Sequence, residues 1–279
     1  MPELPEVETV RRQVGECALG LRLVRVRVLH RGMVEPHSAR GITGALKGRP
    51  LTAVRRHGKL LVMEFGPWAL LVHFRMSGTI LCVPADEELP RYARMVFDFA
   101  GLSGTVRRLV LSDVRTLGTV ELCRADAVAE SRSMRNMGRD ALLDGVDGAV
   151  LHELLAGRRR PIKPFLLDQR YVAGLGNIYA AEALYRARIS PMRPCGEVSR
   201  REAARLHRAI AAVLDRAIQV NGTTFSAFRT VNGDWGRFTR LLRVYGREGK
   251  RCMRRGCRGC IVRVVQSGRS TFYCPVCQA

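Results

Sequence analysis

The hydrophobic pattern of this chain changes period part-way along, and that change limits the folds open to it. From Leu21 to about residue 125 the runs LRLVRVRVLH, PLTAVRRHGKLLVMEF, WALLVHFRMSGTILCV, RYARMVFDF and RRLVLSDVRTLGTVEL are β-rich and broken by Gly, Pro and polar turns. Strands that follow one another without helical patterns between them imply an antiparallel sandwich or barrel. One helix is expected ahead of them, over PEVETVRRQVGECA. Pro5 suits a first helical position, acids occupy the first turn, and Val7, Val10 and Val14 recur at helical spacing. Beyond about residue 150 helices take over in GAVLHELLAG, PIKPFLLDQ, GNIYAAEALYRA and SRREAARLHRAIAAVLDRAIQVNG. The last opens on a capping box, Ser199 with Glu202, and stops at Asn221-Gly222. The fold class is therefore α+β, and 279 residues suffice for two or three domains with their own cores.

Charge narrows the partner. The chain carries 47 Lys and Arg against 25 Asp and Glu, a formal net charge of +22, with 47% hydrophobic residues. That describes a folded, basic protein, and nucleic acid is the ordinary partner because each neutralised phosphate releases a counterion. A membrane surface would call for an amphipathic helix or a lipid anchor, and a spanning segment for roughly 20 apolar residues; the sequence offers none of these. No basic stretch followed by an apolar one stands at the N-terminus, so a cytoplasmic location is expected.

Nine cysteines are unevenly spread. Cys17, Cys82, Cys123 and Cys195 are scattered singly and read as small core residues. Cys252, Cys257, Cys260, Cys274 and Cys277 crowd the last 28 residues, where the alternating stretch CRGCIVRVVQSGRSTFYCPVC suggests a small hairpin. In a reducing compartment this is the pattern of a metal-clamped ribbon.

The N-terminus, MPELPEVETV, is acidic in a basic chain. Removal of Met1 would expose the secondary amine of Pro2, and α-amino groups titrate near ~7.7–8.0, so a useful fraction is nucleophilic at neutral pH. Attack on a sugar C1′ would expel a base. A secondary amine then gives an iminium that cannot lose a proton to become a neutral imine. Its fixed charge acidifies the C2′ hydrogen and invites elimination of the 3′ phosphate, with Glu3 as a general acid–base. The alternative is that Pro2 and Glu3 simply start a helix.

The opening MPELPEVETVRR resembles the start of the formamidopyrimidine-DNA glycosylases of the Fpg/Nei family, and Leu4 favours that branch over the PEGPE of the Nei branch. RRHGKLL, HFRMSGTI, DVRTLGTVEL, IKPFLLDQRYVAGLGNIYAAEAL, RVYGREG and GRSTFYCPVCQ are similar to further family blocks in family order, so the likeness spans nearly the whole chain. The resemblance implies an N-terminal catalytic β-sandwich domain over 1–125 and a linker over 126–150. A helix–two-turn–helix DNA-binding domain with a lesion-capping loop would occupy 151–244, and a zinc finger 245–279. It further implies catalysis by Pro2, Glu3, Lys59 and Arg269. Met76, Arg115 and Leu117 would fill the hole left by an extruded nucleotide. Leu117 stands where the family has Phe, and so lacks an aromatic face. Tyr92 stands at a DNA-contacting position that is often His in the family. Arg158, Lys163 and Asn177 would grip phosphates, Asn177 at a helix N-terminus, where unpaired N–H groups favour anions. One structural Zn²⁺ is implied. Cys274 and Cys277 form one half of its site. The other half departs from the usual C-x2-C: counting back from Cys274 favours Cys252 with Cys257, and Cys257 with Cys260 is the competing pair.

These features together predict a bifunctional DNA glycosylase/AP lyase for oxidised purines. It would be a monomeric, cytoplasmic and nucleoid-associated protein acting on damaged double-stranded DNA held between the β domain and the helical–zinc half. Two other readings remain: a Nei-like enzyme for oxidised pyrimidines, and a catalytically silent DNA-damage-binding protein.

Overall fold

The computed structural model describes residues 1–101, 106–143, 146–224 and 228–278. It divides the chain into two compact units. The first joins Met1–Asn136 to Val220–Arg237, and the second joins Met137–Gln219 to Phe238–Ala279.

The first unit opens with α1 (Leu4–Ala18). Two four-stranded antiparallel sheets follow. One has the order β1 (Arg22–Val28), β6 (Ala93–Ala100), β7 (Val106–Asp113), β5 (Gly78–Pro84). The other runs β2 (Ala53–His57), β3 (Leu60–Phe65), β4 (Trp68–His73), β8 (Thr119–Arg124). The expected sandwich is what forms. A single core takes Leu61, Met63 and Phe65 from β3 and Met95, Phe97 and Phe99 from β6, and Phe65 stacks on Phe99 with ring centroids 6.4 Å apart. Strand period two leaves Asp98 of β6 between these inward residues, and it pairs with Arg108 at 2.7 Å. Val7, Val10, Val14 and Ala18 of α1 enter the same core, the spacing read from the sequence. Each buried valine is worth about 1.5 kcal/mol or more, enough to hold the helix down. The sequence analysis did not anticipate α2 (Ala39–Leu46), which buries Ile42 and Leu46.

The second unit is mostly helical. α3 (Gly148–Leu155) packs on α6 (Arg200–Gln219), and α5 (Asn177–Ala187) packs on α6 and on the C-terminal hairpin. Gly148 allows the first approach, because a Cβ there would lie 2.5 Å from the Ala204 Cα. The capping box of α6 is present: Ser199 N–H donates to Glu202 at 3.0 Å and Glu202 N–H donates to Ser199 Oγ at 3.3 Å. Between α3 and α5 lies the short α4 (Ile162–Leu166). β9 (Arg139–Asp140) and β10 (Val172–Ala173) form a small parallel pair, and β11 (Val262–Gln266) with β12 (Arg269–Tyr273) forms the ribbon.

The unit boundaries differ from the domain limits read from the sequence. The linker expected over 126–150 divides at Met137, because β9 pairs with β10. The segment expected to complete the helical domain instead belongs from Val220 to Arg237 to the first unit. Phe228 and Val231 enter the sandwich core, and α1 and β5 both bond to this segment. Residues 225–227 of the expected lesion-capping loop lie outside the described residues, as do 144–145 of the linker.

Candidate active site and zinc centre

Pro2 and Glu3 precede the first turn of α1 and are buried, Glu3 to 2% exposure. Glu3 is the N-cap of that helix, and its N–H donates to Glu6 Oε2 at 2.8 Å. The other oxygen of the same carboxylate accepts the Thr223 N–H at 2.6 Å. One buried acid thus ties the N-terminal peptide to the far segment. Gly222, at φ 78°, makes room for it, since a Cβ there would meet Glu6 Oε1 at 2.5 Å.

Lys59 sits in a two-residue turn between β2 and β3, where His57 pairs with Leu60. Gly58 takes φ 56°, the left-handed conformation that a tight hairpin asks of its first residue. Lys59 is only 5% exposed. Arg56, equally buried, donates to the Gly58 carbonyl at 3.0 Å and to Glu8 of α1 at 3.3 Å. Burial opposes ionisation of Glu8, but hydrogen bonds from Arg11 and Arg12 and the charges of Arg11 and Arg56 outweigh it, holding its carboxyl at about 2. α1 and the Lys59 turn are therefore braced on one another through the Glu8–Arg56 ion pair. Beside the turn, His73 is held down to about 4 by burial first and then by the charges of Arg75 and Lys59. It is a neutral imidazole at pH 7, and its Nδ1 accepts the Arg75 N–H at 3.0 Å.

Met76, Arg115 and Leu117 lie on two turns joined at their root by Asp113, which is completely buried. Asp113 accepts from the Ser77 hydroxyl, from the Arg115 N–H at 3.2 Å and from the Gly118 N–H at 2.7 Å. Met76 and Leu117 are each 44% exposed, so two large apolar side chains stand out to solvent on a rigid base. Tyr92 is close by: its carbonyl accepts the Asp113 N–H at 3.0 Å, and Arg91 and Arg94 lie over its ring at 5.3 and 6.0 Å.

In the second unit, Asn177 is the first residue of α5 behind the N-cap Gly176. Lys163 is 1% exposed, and its ammonium donates to Asn177 Oδ1 at 2.6 Å and to Thr271 Oγ1 at 2.8 Å. Asn177 Nδ2 donates to the Ser270 carbonyl at 3.0 Å. This network fastens the start of α5 to β12, beside Arg269. Arg269 is exposed and follows a turn in which Ser267 and Gly268 both have positive φ. Arg158 stacks on the Tyr171 ring at 4.5 Å, which leaves less of its guanidinium open than a solvated arginine has.

The Sγ atoms of Cys252, Cys257, Cys274 and Cys277 all lie within 4.8 Å of one another. Four thiolates ~2.3 Å from one tetrahedral zinc stand ~3.8 Å apart, so the cluster fits that ion. The pairs Cys252–Cys277 and Cys257–Cys274 are already at 3.8 and 3.6 Å. Gly259 N–H points at Cys257 Sγ at 3.4 Å, and a Cβ on Gly259 would strike Cys274 Sγ at 2.8 Å. Cys260 is exposed and outside the group, bridged through its backbone to Arg251. The ribbon is a structural zinc site of four cysteines.

Sequence reasoning missed Glu6, Glu8, Arg56, Asp113 and Gly222. Asp113 had a local signal, since it opens the D-x-R turn; the rest act through partners far along the chain.

Three family models match the chain in order: the formamidopyrimidine-DNA glycosylase N-terminal domain over residues 1–120, its H2TH domain over 137–229, and the zinc finger found in FPG and IleRS over 249–279. A formamidopyrimidine-DNA glycosylase of Cereibacter sphaeroides is 39% identical over the full length of both chains, and one from Desulfitobacterium hafniense is 36% identical over the same extent. The chain belongs to the formamidopyrimidine-DNA glycosylase family. Solved structures of the family agree. A Lactococcus lactis member bound to DNA containing Fapy-dG superposes with a TM-score of 0.89 at 32% identity, covering 99% of each chain. The wild-type protein of the same organism, bound to DNA with an oxidised pyrimidine, gives the same score, identity and coverage.

Proposed function

We propose that the protein is a bifunctional DNA glycosylase and AP lyase of base excision repair, which removes oxidised purines such as 8-oxoguanine and formamidopyrimidines from duplex DNA. With Met1 removed, the Pro2 nitrogen attacks C1′ of the extruded nucleotide, and the glycosidic bond breaks as the base leaves with a proton. Glu3 protonates the opening sugar ring and serves as the proton shuttle, and Lys59 supplies positive charge and a second proton-transfer group. The iminium on Pro2 then acidifies C2′–H. Loss of that proton expels the 3′ phosphate, and a second elimination, assisted by Arg269, expels the 5′ phosphate. Extrusion itself costs a few kcal/mol, which Met76 and Leu117 offset by filling the vacated stack while Arg115 bonds to the orphaned base. Asn177 and Arg158 grip flanking phosphates, with the buried Lys163 ammonium supplying charge directly behind Asn177. Tyr92 adds a contact to the strand. The zinc supplies no chemistry to these steps; it fixes the ribbon that presents Arg269. The protein acts as a cytoplasmic monomer associated with the nucleoid.

The observation that carries this reading is the bracing of the Pro2–Glu3 helix on the Lys59 turn through Arg56, which reaches both Glu8 and the Gly58 carbonyl. A merely structural helix start would need no such link to the turn that carries Lys59. Oxidised pyrimidines form a second lesion class, favoured by the Lactococcus lactis relative solved on such DNA.

Borohydride trapping on a duplex with one 8-oxoguanine opposite cytosine, followed by mass mapping, tests the proposal. An adduct on an N-terminal Pro2, lost in Pro2→Gly, is expected. An adduct only on a thymine glycol duplex would move the specificity to pyrimidines. No adduct on either, or on a preformed abasic site, would leave a silent binding protein and sink the enzyme reading.

A further inference from the structure

Cys17 and Cys82 take no part in the chemistry above, and the sequence alone reads each as a separate core residue. Cys17 is on the last turn of α1 and Cys82 is in the middle of β5, 65 residues away. Their Sγ atoms stand 2.8 Å apart, closer than the 3.6 and 3.8 Å of the paired thiols in the zinc cluster. Both are free thiols and half-buried, so a small oxidant can reach them while bulk protein surface cannot. A disulfide has S–S of ~2.05 Å, so about 0.8 Å of approach closes the bond.

We infer that Cys17 and Cys82 form a dithiol–disulfide pair, closed by a peroxide, which cross-links the helix that follows Pro2 and Glu3 to the strand that follows the Met76 turn. The Cys82 thiolate attacks one oxygen of the peroxide. An S–O bond forms, the O–O bond breaks, and the departing hydroxide takes a proton to become water. The Cys17 sulfur then attacks the sulfenic sulfur, an S–S bond forms, the S–O bond breaks, and the Cys17 proton leaves with that hydroxide as a second water. Two thiols lose two electrons and one peroxide gains them; a small dithiol returns the pair to its reduced form. The roles are unequal. The hydrogen bond shared with Cys17 and the nearby Arg107 guanidinium outweigh burial at Cys82 and bring its thiol down to about 7, while the same contact and burial push Cys17 up. Cys82 is thus the attacking sulfur and Cys17 the resolving one.

The position gives the bond a consequence. The Cys82 N–H donates to the Val231 carbonyl at 2.8 Å. The Val231 N–H donates to Gln13 Oε1 at 2.8 Å, one turn before Cys17 on α1. Thr79 of β5 donates to the Arg229 carbonyl at 2.7 Å. The two elements that the disulfide joins are the same two that clasp residues 228–231. Oxidation therefore stiffens the seat of the segment that the sequence reads as lesion-capping.

The test uses the full, zinc-loaded chain exposed to about one equivalent of hydrogen peroxide, alkylated, digested without reduction and mapped by mass spectrometry. The expected result is a Cys17–Cys82 linked peptide, two hydrogens lighter than its parts, that disappears on treatment with dithiothreitol. In Cys17→Ser the link is lost and Cys82 becomes labelled by dimedone as the sulfenic acid. Closing a loop of this length should also raise the Tm by ~5 °C or more in the oxidised protein, a gain absent from Cys17→Ser and Cys82→Ser. If both thiols remain open to alkylation after oxidation, or Cys82 is found joined to a different cysteine, the inference is overturned. The mapping on the unsubstituted chain decides this even if a variant folds poorly.

Discussion

Glu8 answers to three arginines, and the arrangement makes acid stability a test of the active-site brace. Arg56 reaches it at 3.3 Å from β2, while Arg11 and Arg12 hold it at 2.9 and 2.7 Å from its own helix. Its folded carboxyl is lowered from the usual 4.5 to about 2. A depressed acid stabilises the fold above its unfolded pKa and loses that stabilisation as pH falls through the folded one, so the window here runs from about pH 4.5 down to about 2. Discounted for the solvent around Arg11 and Arg12, its contribution at neutral pH is about 1–2 kcal/mol. Urea titrations across that window should show Glu8→Gln with a flatter acid limb than the parent. Arg56→Met should cost about 1–3 kcal/mol and lower trapping yield more than global stability explains; equal losses in both would make Arg56 a structural residue only. These residues were illegible in the sequence for a plain reason. Arg56 lies 48 positions from Glu8, and Thr223 lies 217 from Glu6, so no local spacing announces either pair. Gly58-Lys59 and Gly176-Asn177 could be read because a turn and a helix start are made by neighbours.

At the scale of elements, period did most of the work. Alternation placed the β-rich runs and helical spacing placed α1, α3, α5 and α6, since burial of one face imposes the pattern directly. α2 escaped because ARGITGAL is only eight residues long and carries two glycines, although Ser38, whose hydroxyl accepts the Gly41 N–H at 3.0 Å, was a readable cap. The segment 220–237, read from the sequence as part of the helical domain, groups with the first unit by its contacts. It follows a helix in the chain, yet its backbone is satisfied by Glu6, Gln13 and Thr79. Gly222→Ala tests that attachment. The new Cβ would collide with Glu6 Oε1 and meet a positive φ, at a cost of about 1–3 kcal/mol. Hydrogen exchange should then rise at Thr223 and Val231 while the β3 and β6 amides stay protected. Unchanged protection at both positions would show that Glu6 does not hold the segment.

The ribbon at the end of the chain is too small to hold itself by apolar burial, and that makes its metal a matter of folding. Cys252 and Cys274 are buried, and among the described residues the other apolar side chains of their cluster are Ala181 and Tyr185 of α5 with Val244, Tyr245, Ile261 and Phe272. Metal binding to such a site is folding free energy. Native mass spectrometry should find one zinc per chain, retained in Cys260→Ser and lost in Cys252→Ser. A chelator should unfold the ribbon while the sandwich core, which contains no ligand, keeps its near-ultraviolet signal. Loss of zinc from Cys260→Ser instead would return the competing ligand pair.

At the scale of the whole molecule, several of the acids are held in internal pairs. Asp98 is shared by Arg27 and Arg108, Asp168 by Arg160 and Arg170, and Glu202 by Arg193 and Arg205. Each of these groups of one acid and two guanidiniums keeps a net positive charge, and the chain as a whole carries a surplus of +22 that can meet phosphate. Binding to an undamaged duplex should accordingly weaken by ~10³-fold or more between 50 and 200 mM salt if six or more phosphates are neutralised. Arg158→Ala should reduce the slope of log K against log salt by about 0.9, the loss of one phosphate contact, without altering the preference between lesions. Leu117→Ala should do the reverse, leaving the slope intact and lowering excision, because an apolar wedge carries no counterion. A slope near zero would mean that the basic surface does not face the DNA. The charge would then have to be explained by something other than phosphate.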